Sequence, residues 1–253
     1  MTVNGVDYSH YQDYPDVPKM AAAGIQFVVI KAWEGSSPDP QFAVNLANAQ
    51  AAGMPVMAYV YLHADDSADD MQACFDSIGD TVLCLDWEME GVPAAAVERW
   101  MDAYEARYLR QGMNYYGLYP PAAPSARIGQ WPRWFPEYTS WNNLKLKPWD
   151  GTTANPDWRE CWAIWQSSET GQVPGCPGNQ TDLNQLAPPI TIDDLNKWLA
   201  KGTLPPPRPD TVKPAIAMLQ FALNQMGYDA GTVDGLWGSN TQTAINHYTG
   251  KNW

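Results

Sequence analysis

Four short apolar runs, residues 26–33, 55–62, 81–87 and 114–119, are separated by stretches of helical spacing at 39–52, 67–78 and 92–111. The runs have the length and the β-branched or bulky content of buried strands. Each intervening stretch is followed by a glycine (Gly53, Gly79, Gly112), the residue expected just past a helix's last turn. Strand-helix alternation of this kind predicts parallel strands. Several such units within about 200 residues favour closure into a barrel over an open sheet. The second half is less regular. Residues 131–141 and 161–166 read as Trp- and Tyr-rich strands with few helices between them, before a late helix over 192–200.

Composition changes sharply at Leu204-Pro205-Pro206-Pro207-Arg208-Pro209, which can build neither helix nor sheet and reads as a semi-rigid spacer. The expected division is a large domain over 1–202, a linker over 203–212 and a small unit over 213–253. In that unit Ile216, Leu219, Leu223 and Met226 mark one helix face that stops at Gly227. A second helix from about Asn240 is expected to turn Ala244, Ile245 and Tyr248 inward. Roughly 40 residues is near the lower limit for a core without metal or disulfide. The unit is therefore expected to be compact and all-α, with three helices.

A net charge of -13 argues against a nucleic-acid partner, which calls for a basic face. Only 17% of residues are charged, while Trp and Tyr number 13 each, a balance that suits a groove for neutral, hydroxyl-rich rings. No apolar run approaches the roughly 20 residues needed to cross a bilayer, so membrane insertion is not expected. No export signal precedes the first strand, and synthesis in the cytoplasm is the expectation. The four cysteines form no CxxC pair and the three histidines are scattered, so no metal and no cofactor are expected. Free thiols are the default reading, with a Cys161–Cys176 bridge left open. A monomer is expected.

The run Val82-Leu83-Cys84-Leu85 ends in Asp86-Trp87-Glu88. Side chains two apart on a strand share a face, so the two carboxylates would project together. Neighbouring carboxylates repel and one pKa rises, which keeps one acid and one base ready near neutral pH, as glycosidases need. Working residues of a parallel barrel sit at the C-terminal ends of strands. Asp7, Glu34, the Asp86/Glu88 pair and Asp182 are all read as occupying such ends. Unpaired buried charges are costly, so a structural explanation for the whole set is strained.

With these residues the chain resembles the glycoside hydrolase family 25 lysozymes. The matching stretches are Gly5-Val6-Asp7-Tyr8-Ser9-His10-Tyr11-Gln12 and Phe27-Val28-Val29-Ile30-Lys31-Ala32-Trp33-Glu34-Gly35, then Asp39-Pro40-Gln41-Phe42 with Asn45. Leu85-Asp86-Trp87-Glu88, and Trp165-Gln166 followed by Asp182-Leu183-Asn184, complete the match over about residues 1–200. The resemblance implies an α/β fold, a flattened and irregular TIM-like β/α barrel. It also implies hydrolysis of the β-1,4 bond between N-acetylmuramic acid and N-acetylglucosamine in bacterial peptidoglycan, with Asp7, Asp86, Glu88 and Asp182 as acidic groove residues. Trp33 stands where the family usually has threonine, and Tyr8 where valine is common; both could narrow a subsite.

Residues 219–244 resemble the small helical peptidoglycan-binding domain through Leu219-Gln220, Gly227-Tyr228, Val233-Asp234-Gly235, Trp237-Gly238 and Thr241/Thr243 with Ala244. A hydrolase joined to a wall-binding unit looks like a bacteriophage endolysin, made in the host cytoplasm and reaching the wall after holin-dependent release.

In this reading Glu88 is the general acid and Asp86 stays ionised, either stabilising charge at the sugar C1 or orienting the substrate's N-acetyl group. Asp7 and Asp182 orient the ligand or tune the pair. Glu34 either lines the groove or pairs with Lys31. Tyr59, Tyr61, Tyr119, Trp134, Tyr138 and Trp165 are candidate sugar platforms, and His10 and His63 are read as neutral imidazoles. The rival from another class is a silent lectin-like or tail-structural protein on the same barrel. A chitin-active glycosidase is the rival enzyme.

Overall fold

The computed structural model describes residues 3–151, 156–178, 180–200, 219–220, 222–224, 226–231 and 239–250. The chain divides into two compact units, Met1–Pro206 and Pro207–Trp253. The expected spacer over 203–212, the helix position Ile216 and the turn residues 232–238 lie outside the described residues.

In the first unit the strands are β1 (Asn4–Tyr8), β2 (Phe27–Glu34), β3 (Ser37–Pro38), β4 (Val56–Tyr61), β5 (Val82–Asp86) and β6 (Met113–Tyr115). They continue with β7 (Arg133–Pro136), β8 (Lys147–Pro148), β9 (Cys161–Trp162), β10 (Ile164–Gly171) and β11 (Thr181–Leu186). One sheet runs β1-β11-β10-β7-β6-β5-β4-β2-β3, and the pairing of β1 with β2 closes it into a barrel, with β3 as an appended edge. Strands β8 and β9 form a separate two-stranded ladder.

From β1 through β2, β4, β5, β6, β7 and β10 every pairing around the barrel is parallel. The seam is different: β11 is antiparallel to both β10 and β1. The barrel is therefore mixed, a correction to the uniformly parallel sheet that alternation predicts. No described helix lies between β10 and β11, and a chain that returns without a crossover must pair antiparallel.

Helices α1 (Val17–Ala22), α2 (Phe42–Ala51), α3 (Ala68–Ile78), α4 (Ala94–Tyr108) and α5 (Ile192–Leu199) surround the strands. Ser67 with Asp70 and Thr191 with Asp194 form capping boxes that start α3 and α5. Helix α1 is absent from the expected elements, although Asp16 caps it and Pro18 sits in its first turn. Helix α4 stops at Leu109, in the left-handed region at φ 54°, rather than at Gly112. Gly112 is required by close approach instead, because a Cβ there would lie 2.4 Å from the Leu83 carbonyl oxygen. The expected strand 114–119 is ordered as strand only over Met113–Tyr115.

The continuous apolar runs arise because each strand is covered on both faces. Along β2, Val28 and Ile30 face the helical layer with Val6, Ala58, Val60, Leu83 and Leu85. Phe27 and Val29 face the interior with Met57, Val82, Cys84, Met113 and Tyr115. This period of two decides where each strand-end polar group points.

In the second unit residues 219–220 and 222–224 are helical, Gly227 takes φ 86°, and a helix spans Ser239–Thr249. Leu223, Ala230 and Ala244 are buried, and Gln220 Nε2 donates to the Thr241 hydroxyl at 3.0 Å. Met226 and Tyr248, expected inward, are 51% and 55% exposed. Met226 has passed the helix end into the turn before Gly227. Tyr248 packs edge-on against Tyr228 at the surface while Thr241 takes the interior position.

Candidate active site

At one rim of the barrel a groove of about 560 Å³ opens over the strand ends. Parity builds it. On β5, Val82 and Cys84 face the interior, so Asp86 does too, while Leu85 and Trp87 enter the helical layer. Glu88, two residues on, joins Asp86 in the groove wall. On β1 the same alternation turns Val6 and Tyr8 outward and Asp7 in. Asp7 is the cross-strand partner of Asp182 on β11. Asp182 is near the N-terminal end of its strand, not at a C-terminal end as expected from the sequence. It reaches the same rim because β11 runs antiparallel.

The groove thus gathers Asp7, Asp86, Glu88 and Asp182 with Tyr59, Tyr61, Tyr115, Trp134 and Tyr138. Lys31, an interior-facing residue of β2, is a cation in its wall. Its ammonium pairs with Glu34 and lies 5.3 Å from the Tyr61 ring centre. Glu34 also approaches His63 Nε2 at 3.6 Å. Burial alone would raise the Glu34 carboxyl, but Lys31 and His63 outweigh it and hold the group below its ordinary value. Glu34 is absent from the groove wall, which fits the ion-pair alternative.

The depth of the two β5 carboxylates differs. Asp86 is only 7% exposed and its Oδ1 is buried with no hydrogen-bond partner among the described residues, whereas Glu88 is exposed. Burial first, then the charges of Glu88 and Asp7, push Asp86 well above the ordinary carboxyl range. Although Glu88 reaches solvent, partial enclosure of its carboxyl by the groove and the Asp7 charge raise it as well, with Lys31 opposing. Asp86 was expected to be the ionised partner; it is itself strongly biased toward its proton, because it is the deeper group.

Asp7 is fully enclosed, and burial raises it against the pull of its donors: Asn184 Nδ2 at 2.7 Å and Gln166 Nε2 at 3.0 Å. Asp182 is pushed up to about 9, by burial first and then by Asp7. Within this pair Asp182 holds the proton and Asp7 accepts.

The candidate platforms separate. Tyr61 and Tyr138 line the groove, the latter 50% exposed. Trp134 lines it too but is almost wholly buried, and its indole N–H donates to Asn184 Oδ1 at 2.7 Å, so it orients Asn184. Tyr119 is 95% exposed beside an adjoining cavity of about 350 Å³ that shares Glu88, Tyr115 and Tyr138 with the groove. Trp165 is buried among Trp141 and Trp162, with its N–H on the Glu137 carbonyl. Gln166 takes the groove-facing side of β10 and its neighbour Trp165 therefore cannot, so Trp165 is not part of the groove wall. Tyr8 and Trp33, expected to reshape a subsite, are buried in the helical layer instead. His10 Nδ1 is tied to Asp39 Oδ2 at 2.7 Å.

Sequence reasoning passed over Lys31 as a wall residue, and Gln166, Asn184 and Tyr115 as site residues. Asn184 stands two residues from Asp182 and Tyr115 two from Met113, so strand parity was an available signal for both. All four cysteines are unbridged. Among the described residues no helix is long and apolar enough to cross a membrane, and no cluster of three His, Cys, Asp or Glu could hold a metal ion.

A closed barrel with stacked carboxylates and tyrosines at one rim is the arrangement of a polysaccharide-cleaving enzyme. The pattern of the Glycosyl hydrolases family 25 matches residues 6–176, and the chain belongs to that family of glycoside hydrolases. Lysozyme M1 of Streptomyces globisporus is 28% identical over 209 residues, 73% of this chain and 67% of that protein. A muramidase from Trichobolus zukalii shares the fold at TM-score 0.63 and 24% identity, covering 79% of this chain and all of that one. The catalytic domain of endolysin ply40 from Listeria monocytogenes bacteriophage P40 does so at TM-score 0.56 and 17% identity, covering 79% and 98%.

Proposed function

We propose that the rim groove performs the muramidase reaction on peptidoglycan through Glu88 and Asp86. The observation that carries it is the pairing of a solvent-reaching, proton-retaining Glu88 with a deeper Asp86 whose Oδ1 lacks a partner among the described residues. Glu88 gives its proton to the glycosidic oxygen as the bond to C1 of N-acetylmuramic acid breaks. The orphaned Asp86 oxygen suits the N–H of that sugar's 2-acetamido group, whose carbonyl oxygen attacks C1 and closes an oxazolinium ring. Glu88, now a carboxylate, takes a proton from water, which adds at C1 and reopens the ring. A new reducing end is left with retained configuration.

Purified peptidoglycan treated with the enzyme is expected to gain reducing N-acetylmuramic acid ends and no free amines. New amines would indicate an amidase or peptidase, new N-acetylglucosamine reducing ends a glucosaminidase, and no product a silent lectin.

The second unit is proposed as a wall anchor in a flattened, TIM-like phage endolysin, made in the host cytoplasm, acting as a monomer and reaching the wall after release. Its support is the motif pattern around Leu219, Gly227 and Ala244. Ending the chain near residue 203 should leave cleavage of soluble glycan oligomers unchanged. On whole sacculi the rate should fall, because a tethered binder raises local concentration. Equal rates of the two forms on sacculi would remove the anchor role.

A further inference from the structure

Gln166 is 3% exposed on β10, at the point where the β10–β11 register shifts. Its amide has four hydrogen-bonding places, and all four are filled. Oε1 accepts from the Tyr115 hydroxyl at 2.9 Å and the Tyr138 hydroxyl at 3.0 Å. Nε2 donates to Asp7 Oδ2 at 3.0 Å and to Asp182 Oδ2 at 3.4 Å. Chemistry fixes this orientation. Burial pushes both phenols up, so each stays an O–H in need of an acceptor, while the carboxylates need donors. A flipped amide would set its oxygen against the carboxyl oxygens of Asp7 and Asp182. The side chain therefore joins the half-exposed Tyr138 to the acid pair on β1 and β11.

We infer that Gln166 is a positioning residue: its amide holds Asp7 as an oriented, charge-bearing acceptor behind the Asp86/Glu88 pair and pins Tyr138 against the sugar. The inference rests on the reading of Asp86 and Glu88 as the reacting pair. Gln166 touches neither of them and acts through its partners. The ionisable groups facing Asp7 are Asp182 on β11, Asp86 and Glu88 at the end of β5, and Lys31 on β2. Tyr59 on β4, Tyr115, Tyr138, Cys84 and Cys176 feel its charge but are pushed up and stay neutral. Two amide N–H groups aimed at Asp7 Oδ2 favour its charged form, and that charge raises both Asp86 and Glu88. Removing an N–H donor favours protonation of Asp7. With Asp7 neutral, the general acid releases its proton at lower pH.

The test is a full pH–rate profile of the whole chain on purified peptidoglycan. In Gln166→Met, of similar length but without donor or acceptor, kcat/KM should fall by about tenfold to a hundredfold, the scale of a displaced catalytic group. The basic limb should move to lower pH and KM should rise. Tyr138→Phe should raise KM and leave the limb in place. Gln166→Glu should recover activity toward acid pH, where the introduced side chain is a protonated carboxyl and can again donate to Asp7. A basic limb at the parental pH in Gln166→Met would overturn the inference, leaving a merely structural amide. If thermal melting shows that Gln166→Met does not fold, Gln166→Glu decides, and a limb unmoved in it has the same consequence. Failure here is separable from failure of the underlying reading: full activity of Glu88→Gln sinks the latter, whatever Gln166 does.

Discussion

Glu88→Gln is expected to lower kcat by about two to four powers of ten, the scale of losing a general acid. Glutamine keeps the shape and much of the hydrogen-bonding capacity but has no proton to give to the leaving oxygen. Glu88 is exposed at the groove wall, so the change should alter stability by no more than about 0.5 kcal/mol, and binding to sacculi should persist. In the parent, partial enclosure of the carboxyl by the groove, although the residue reaches solvent, and the Asp7 charge let Glu88 keep its proton above the ordinary carboxylate range. Activity therefore needs pH below that raised value and declines as pH climbs through it. The residual rate of the glutamine variant should lack this basic limb, since no titrating acid remains. Reducing-end release across pH measures both effects. A variant within a few-fold of the parent would take Glu88 out of the mechanism.

Much of the frame could be read from residues alone because strand burial writes a plain signal. The runs that became β2, β4 and β5 are covered on both faces, and their uninterrupted apolar stretches announce it. Gly53 and Gly79 stop their helices with φ values of 65° and 55°, as their place in the sequence implied. Where the signal was one of close approach, it misled. Gly112 looked like another helix stop, yet its lack of a side chain answers the Leu83 carbonyl and the Trp131 ring across the barrel wall. Local pattern carries no information about a neighbour so distant along the chain.

The acids were legible and their supporting shell was not. Asp7 and Asp86 stand out because charges at the ends of apolar runs are rare, and Glu88 and Asp182 through the motifs that hold them. Their depth was not written in the sequence. Asp86 ends β5 inside the barrel and Glu88 follows in the loop, so the more deeply buried carboxyl is the one expected to stay ionised. Gln166 and Asn184 stand in the matching motifs, but a neutral amide does not announce by its chemistry that it donates to Asp7. Trp165 shows the opposite error: an aromatic next to a site residue is drawn toward the site by eye, and strand parity sends it the other way.

Asp86→Asn separates activity from stability. Activity should drop by about two to three powers of ten, as for other groups that stabilise developing charge. Asparagine can accept the acetamido N–H through its amide oxygen, but it has no proton to lose and so cannot become the carboxylate that balances the oxazolinium charge. Stability should move in the other direction. A carboxyl raised by burial contributes its full stability below its ordinary value near 3.8, and that contribution is lost as pH rises through the raised folded value. At neutral pH the parent therefore carries the strain of Asp86 beside Glu88 and Asp7, and asparagine relieves it. Melting temperature should rise by about 2–4 °C for each kcal/mol relieved. The gap between variant and parent should close as the buffer is brought to acid pH, where Asp86 is protonated in both the folded and unfolded parent. Paired thermal melts at neutral and acid pH, run alongside reducing-end assays, supply the measurement. An asparagine variant that melts below the parent at neutral pH would show that Asp86 is held by favourable partners rather than strained. Full activity would show that its charge is not used in the reaction.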